Sequence, residues 1–100
     1  MAEFLVIARD FPAPEGPSRR LEHQPAHRQG LKSLQEHGNL LLAGPLTDDA
    51  GVTIGSMMVI AFETRKELDA WAQSEPYVAG RVWETVEVTR MRVTIPAPNS

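Results

Sequence analysis

The stretch TIGSMMVIAFE, residues 53–63, limits what this chain can fold into more than any other. It has strand length. Ile54, Met58, Ile60 and Phe62 fall on one side and Met57, Val59 and Ala61 on the other, so both faces are apolar. Residues 3–9 (EFLVIAR) repeat the pattern, with Phe4, Val6 and Ala8 opposite Leu5 and Ile7. Strands of this kind need cover on both sides. A chain of 100 residues with 42% hydrophobic content builds one core and one domain. Its own helices can cover one face of a sheet, so cover for the second face has to come from elsewhere.

The remaining elements follow from punctuation and period. Residues 10–18 (DFPAPEGPS) hold three prolines and a glycine and read as a loop. Residues 19–37 are mainly helical in pattern. Pro25 suits a first-turn position, because it has no N–H to lose there, so the strong helix is expected to begin near it and to stop at Gly38. Leu31 and Leu34 make its buried stripe, with Leu21 as a possible extension. Residues 40–46 start as a strand that Gly44-Pro45 breaks, and residues 47–51 (TDDAG) form a hairpin turn to the long strand. Thr64 and Glu67 match a capping box opening a helix that buries Leu68, Trp71 and Ala72. Glu75-Pro76-Tyr77 starts a further short turn closed by Gly80. Residues 81–93 alternate as a last strand. The expected fold is α+β: a ferredoxin-like βαββαβ unit over residues 1–95, a four-stranded antiparallel sheet with two helices on one face, and a polar tail at 96–100. At roughly 25 cal/mol per Å², an apolar second face left wet costs several kcal/mol. A second copy of the chain covering it is the simplest resolution, so a homodimer or higher oligomer is expected.

Composition removes several function classes. Net charge is −3 and the basic residues are scattered, so no nucleic-acid partner is expected. There is no cysteine, hence no disulfide and no thiolate chemistry. No apolar run approaches the roughly 20 residues that span a bilayer, and no signal peptide is visible, so no membrane partner is expected and the cytoplasm is the default location. No cofactor motif is present. His23 and His27 form H-x-x-x-H, but Pro25 lies between them and no third ligand is evident, so no metal is expected. Arg19-Arg20 is too small a cluster for more than local attraction of anions.

His27 is the anomalous residue of the first helix. It shares a helical face with Leu31 and Leu34, and an inward imidazole needs a partner. Asp10 after the first strand, Pro25-Ala26-His27, Ala43-Gly44-Pro45, Gly55-Ser56 and Glu75-Pro76-Tyr77 occur in an order and spacing that resemble YciI-like proteins over nearly the whole chain. The resemblance implies a dimeric ferredoxin-like α/β-barrel fold, related in shape to muconolactone isomerase. It also implies a histidine–acid pair as the active site, one branch of the family resembling dehydrochlorinases of chlorinated hydroxyquinones. Residue by residue, the histidine falls on His27. The acid of the family's Asp-Pro-Tyr/Phe motif falls on Glu75, a carboxylate one methylene longer. Arg28 stands where the family usually has an apolar residue, and Gln24 replaces a frequent arginine.

The chemistry implied is a small-molecule enzyme of lyase, isomerase or hydrolase type. Glu75 would accept from one ring nitrogen of His27 and leave the other as a general base. Ser56 is placed with them as a catalytic candidate, and Asp10, Gly44, Pro45 and Tyr77 as substrate-binding candidates, Gly44 by allowing close approach to the backbone. Trp83 offers an aromatic wall. Ser56 lacks a nucleophile-elbow motif, which argues against covalent catalysis. The alternative is a non-catalytic small-ligand-binding or structural dimer module.

Overall fold

Alternating side chains produce four strands, and the two-sided apolar ones take the middle of the sheet. In the computed structural model the elements are β1 (Ala2–Asp10), α1 (Glu15–Glu36), β2 (Leu40–Thr47), β3 (Thr53–Phe62), α2 (Arg65–Ser74), the single turn α3 (Pro76–Ala79) and β4 (Trp83–Met91). The structure describes residues 1–98, so the last two residues of the expected polar tail lie outside the described residues. The sheet is antiparallel in the order β2-β3-β1-β4, the ferredoxin-like βαββαβ arrangement. Central strands β1 and β3 pair Phe4 with Ile60, Val6 with Met58 and Ala8 with Ser56 on one face, and Leu5 with Val59 and Ile7 with Met57 on the other. The first face is the core. Phe4, Val6, Ala8, Met58 and Ile60 pack with Leu68, Tyr77, Val82 and Trp83, and Leu31, Leu34 and Trp71 close over them from the helices. The second face carries Leu5 and Ile7 only half-buried and exposes Leu42.

Helix α1 differs from expectation at its start. It begins at Glu15, ten residues before Pro25, so the loop after β1 is residues 11–14 rather than 10–18. Pro17 falls in the first turn, where a backbone N–H has no intrahelical partner to lose, and Gly16 fits where a side chain would drive into the Phe11 carbonyl. The prolines read as loop-formers are thus compatible with a helix start. Pro25 lies inside the helix on its exposed side, where water can reach the carbonyl it leaves unbonded. His27 therefore stands about three turns past Glu15, beyond the reach of the helix's positive end. Leu21, expected to extend the buried stripe, is 75% exposed. The inward line runs instead through Arg20, Gln24, His27, Leu31 and Leu34.

Strand β2 also corrects the reading: Gly44-Pro45 does not break it, and Pro45 lies opposite Ser56. Because β2 is an edge strand, one row of its backbone groups is unpaired, and a residue without an N–H is tolerated there. The hairpin turn is as expected, with Asp48 Oδ1 accepting from the N–H groups of Ala50 and Val52. Thr64 caps α2 by accepting from the Glu67 N–H, while the Glu67 carboxylate reaches the N–H of Glu63, one residue beyond the usual capping-box partner. After α3 the left-handed residue is Arg81 (φ 58°) and not Gly80. A side chain at Gly80 would meet the His23 ring, which would have to swing aside.

Candidate functional site

The site forms where α1 crosses the β3 end of the core face and α3 closes underneath. His27 and Glu75 arrive from elements far apart in sequence and meet in a buried hydrogen bond, His27 Nδ1–H to Glu75 Oε1 at 2.5 Å. A carboxylate only accepts, so Nδ1 holds the hydrogen. Glu75 is 2% exposed and His27 7%. The same Glu75 oxygen accepts from the Tyr77 N–H at 3.1 Å and so caps α3. Capping the turn and holding the imidazole are one arrangement, and the longer side chain of glutamate spans the gap between them. The Tyr77 ring stacks on the His27 ring at 3.7 Å with 10° between planes, and Trp83 stands edge-on at 5.9 Å. Three side chains therefore fix the imidazole: one through a hydrogen bond and two through ring contact.

Every buried side-chain nitrogen and oxygen among the described residues has a hydrogen-bond partner. His27 Nε2 has no protein partner, so it is the atom that reaches the neighbouring cleft. That cleft has a volume of about 340 Å³ and lies between α1 and the β2–β3 half of the sheet. His27, Ser56, Gly44, Pro45 and Tyr77 all line it. Asp10 does not. It ends the core-face row of β1, at a register shift in the pairing with β4, and both of its carboxylate oxygens are taken by Arg20, at 2.7 and 2.8 Å. Gly44 contributes backbone, and a side chain there would meet no atom within 4 Å.

Arg20 is the residue that sequence reasoning missed. It sits seven residues before His27, two helical turns away on the same face, so its spacing was the available signal; its neighbour Arg19 made the pair look like surface charge. Beyond the bidentate bond to Asp10, Arg20 Nη2 donates to the Gly55 carbonyl at 3.0 Å and to Ser56 Oγ at 2.9 Å. Ser56 Oγ accepts a second hydrogen bond from Trp83 Nε1 at 3.3 Å. No base touches Ser56 in this arrangement. Arg20 also lies over the Tyr77 ring, 4.8 Å from its centroid. Burial by itself would lower the guanidinium pKa, but the hydrogen bonds and charge of Asp10 overcome it and hold it above its usual value. Burial pushes the Tyr77 phenol above its ordinary range, and the positive charges of Arg20 and Arg28 offset this in part. Tyr77 is therefore a neutral hydroxyl near neutral pH.

The His23 ring lies against Gly80, with Nε2 3.9 Å from the Glu22 carboxylate, and it does not line the cleft. No group of three or more His, Cys, Asp or Glu side chains that could hold a metal occurs among the described residues. No described helix is long and apolar enough to cross a membrane.

Comparison with known proteins places this geometry in a family. The YCII-related domain model matches residues 2–92. Protein YciI of Escherichia coli is 35% identical over 91 residues, covering 85% of this chain and 91% of that protein. An uncharacterized protein of Haemophilus influenzae is 35% identical over 92 residues with the same coverage. Among solved structures, a 5-chloro-2-hydroxyhydroquinone dehydrochlorinase from Burkholderia phenoliruptrix, in complex with 2,5-dihydroxybenzoquinone, shares the fold with a TM-score of 0.76 at 23% identity, over 90% of this chain and 93% of that one. The chain belongs to the YCII-related family.

Proposed function

We propose that this protein is a small-molecule enzyme in which His27, oriented by Glu75, is the general base of an isomerase or lyase reaction on a small cyclic hydroxy- or carbonyl compound. The observation that carries the reading is the buried 2.5 Å bond from His27 Nδ1 to Glu75, which leaves Nε2 as the nitrogen toward the cleft. Nε2 takes a proton from a carbon next to a carbonyl. The electron pair left behind moves onto the carbonyl oxygen as an enolate. Arg20, through Nη1, and the neutral Tyr77 hydroxyl would meet that oxyanion, since both residues line the cleft and the other Arg20 nitrogens are committed. The imidazolium then returns the proton at another ring position, or the enolate expels a leaving group. Asp10 and Ser56 serve this scheme by holding Arg20. Gly44 and Pro45 form the opposite wall. The cleft volume lies at the low end for ligand sites, in keeping with a one-ring substrate. The dehydrochlorinase neighbour, whose complex holds a hydroxylated quinone, supports the choice of compound class by likeness of fold.

The test is solvent deuterium exchange. A panel of hydroxylated quinones, including 2,5-dihydroxybenzoquinone, and of cyclic enones is incubated in D2O with the wild type and with His27→Gln, and loss of carbon-bound hydrogen is followed by proton NMR. At least one compound exchanges, and His27→Gln slows it by about 10²–10⁴-fold. Exchange that is equal in both proteins, or absent across the panel, overturns the reading.

We propose further that the chain works as a homodimer joined through the second sheet face, where Leu5, Ile7, Met57 and Val59 meet a second copy. The half-buried Leu5 and Ile7 and the exposed Leu42 on that face support it. Light scattering at micromolar concentration reads twice the chain mass for the wild type and a smaller mass for Leu5→Lys. A wild-type monomer refutes it.

A further inference from the structure

The cleft beside His27 is more positive than the protein that contains it. The chain has a net charge of −3, yet the residues lining the cleft include Arg20 and Arg28 and no aspartate or glutamate. The two arginines differ in state. Arg20 is fixed: its Nε and Nη2 are committed to Asp10, Gly55 and Ser56, and its side chain is 13% exposed. Arg28 is exposed and has no ion-pair partner among the described residues. It lines the mouth of the cleft and also the two surface depressions that adjoin it along α1. The residues are eight apart on one helix, so their backbones are separated by about 12 Å, with His27 next to Arg28 in sequence. Because Arg20, His27 and Arg28 line the same cleft, a molecule with one oxygen at Arg20 and Nε2 can present a second group to Arg28.

We infer that Arg28 is a specificity-determining residue that recognises a second negative charge, selecting one-ring substrates that carry a carboxylate or similar anion remote from the reacting carbonyl. The inference rests on the proposed role of the cleft as the substrate site and adds the substrate's charge. Its physical basis is a charge pair at the rim of the cleft, with no internal carboxylate in ion-pair contact with Arg28 among the described residues to compete for it. The reach of the Arg28 charge to the Tyr77 phenol supports it, because it places that charge within the electrostatic range of the cleft wall. As an exposed helical residue, Arg28 can be changed without disturbing the core.

The probes are benzoate, a monoanion, and isophthalate, which adds a second carboxylate on the same ring. Both are titrated by NMR into the wild type, Arg28→Gln and Arg28→Glu at low ionic strength, with the His27 ring resonances as the reporter. The wild type binds isophthalate about tenfold more tightly than benzoate. Arg28→Gln removes that ratio by weakening isophthalate more than benzoate, and Arg28→Glu inverts it. Raising the salt to about 0.5 M shrinks the wild-type ratio. An unchanged ratio in Arg28→Gln, or no binding of isophthalate to the wild type, overturns the inference. The outcome is separable from that of the exchange assay. An Arg28-dependent preference without His27-dependent exchange leaves an anion-binding module. Exchange without the preference leaves the base and removes the role of Arg28.

Discussion

Shortening Glu75 by one methylene separates its two duties. Aspartate is a favoured capping residue, so Glu75→Asp keeps an acceptor near the Tyr77 N–H. It withdraws the carboxylate from His27 by about 1.5 Å, one carbon–carbon bond. The present separation of 2.5 Å becomes about 4 Å, past hydrogen-bonding range. Two losses follow. The buried Nδ1–H is left without its acceptor, at about 1–3 kcal/mol, and one buried methylene is lost, at about 1 kcal/mol. Glu75→Asp should therefore destabilise by about 2–4 kcal/mol, equivalent to a Tm lower by on the order of 10 °C or more in a chain of this size. The assay is thermal and urea unfolding at fixed protein concentration, followed by tryptophan fluorescence, because Trp83 stands against the imidazole. A change below about 0.5 kcal/mol would show that the pair is not held as described.

Other outcomes follow from the same geometry. Arg20→Met leaves Asp10 buried with no counter-charge and should cost about 3–5 kcal/mol; adding Asp10→Asn should recover part of that loss in a double-mutant unfolding cycle. The chain has a single tyrosine, so absorbance at about 295 nm reports Tyr77 alone, and its midpoint should lie above the ordinary value of about 10. Because the folded-state value is the higher one, the unfolded chain releases its phenol proton first; stability is full below about pH 10 and falls as pH climbs through the folded value, and Tyr77→Phe should remove that component of the fall. Gly55→Ala places a methyl 2.2 Å from the Ala8 carbonyl and should cost about 1–3 kcal/mol or prevent folding, whereas Gly44→Ala meets nothing and should leave the unfolding midpoint within about 0.5 kcal/mol.

Period alone carried most of the fold. The alternation of residues 3–9 and 53–63 identified the two strands that lie at the centre of the sheet, and the Thr64 cap and the Gly38 stop marked element ends that the structure shares. The failures were local and involved proline. Pro17 at a helix start, Pro25 on a wet helical face and Pro45 on an edge strand are each tolerated for a reason of tertiary position, which composition does not encode. The site divided in the same way. His27 was legible because an imidazole on an apolar stripe is anomalous, and Glu75 because the family motif falls on it; the structure brings the two together. Arg20 was legible only as a position, two turns before His27 on one helical face; its pairing was not, because its carboxylate, Asp10, lies in a different element. Asp10 was expected to touch substrate, and the structure spends both of its oxygens on Arg20 instead.

The central claim is that buried Glu75 holds His27 with Nε2 bare toward the cleft. Two-dimensional proton–nitrogen NMR of the imidazole side chains, above the pH at which histidines titrate, reads this directly. The account predicts a protonated Nδ1, its hydrogen shifted downfield by the short bond to Glu75, and an unprotonated Nε2. A His27 ring protonated at Nε2, or one averaging between the two tautomers, contradicts it.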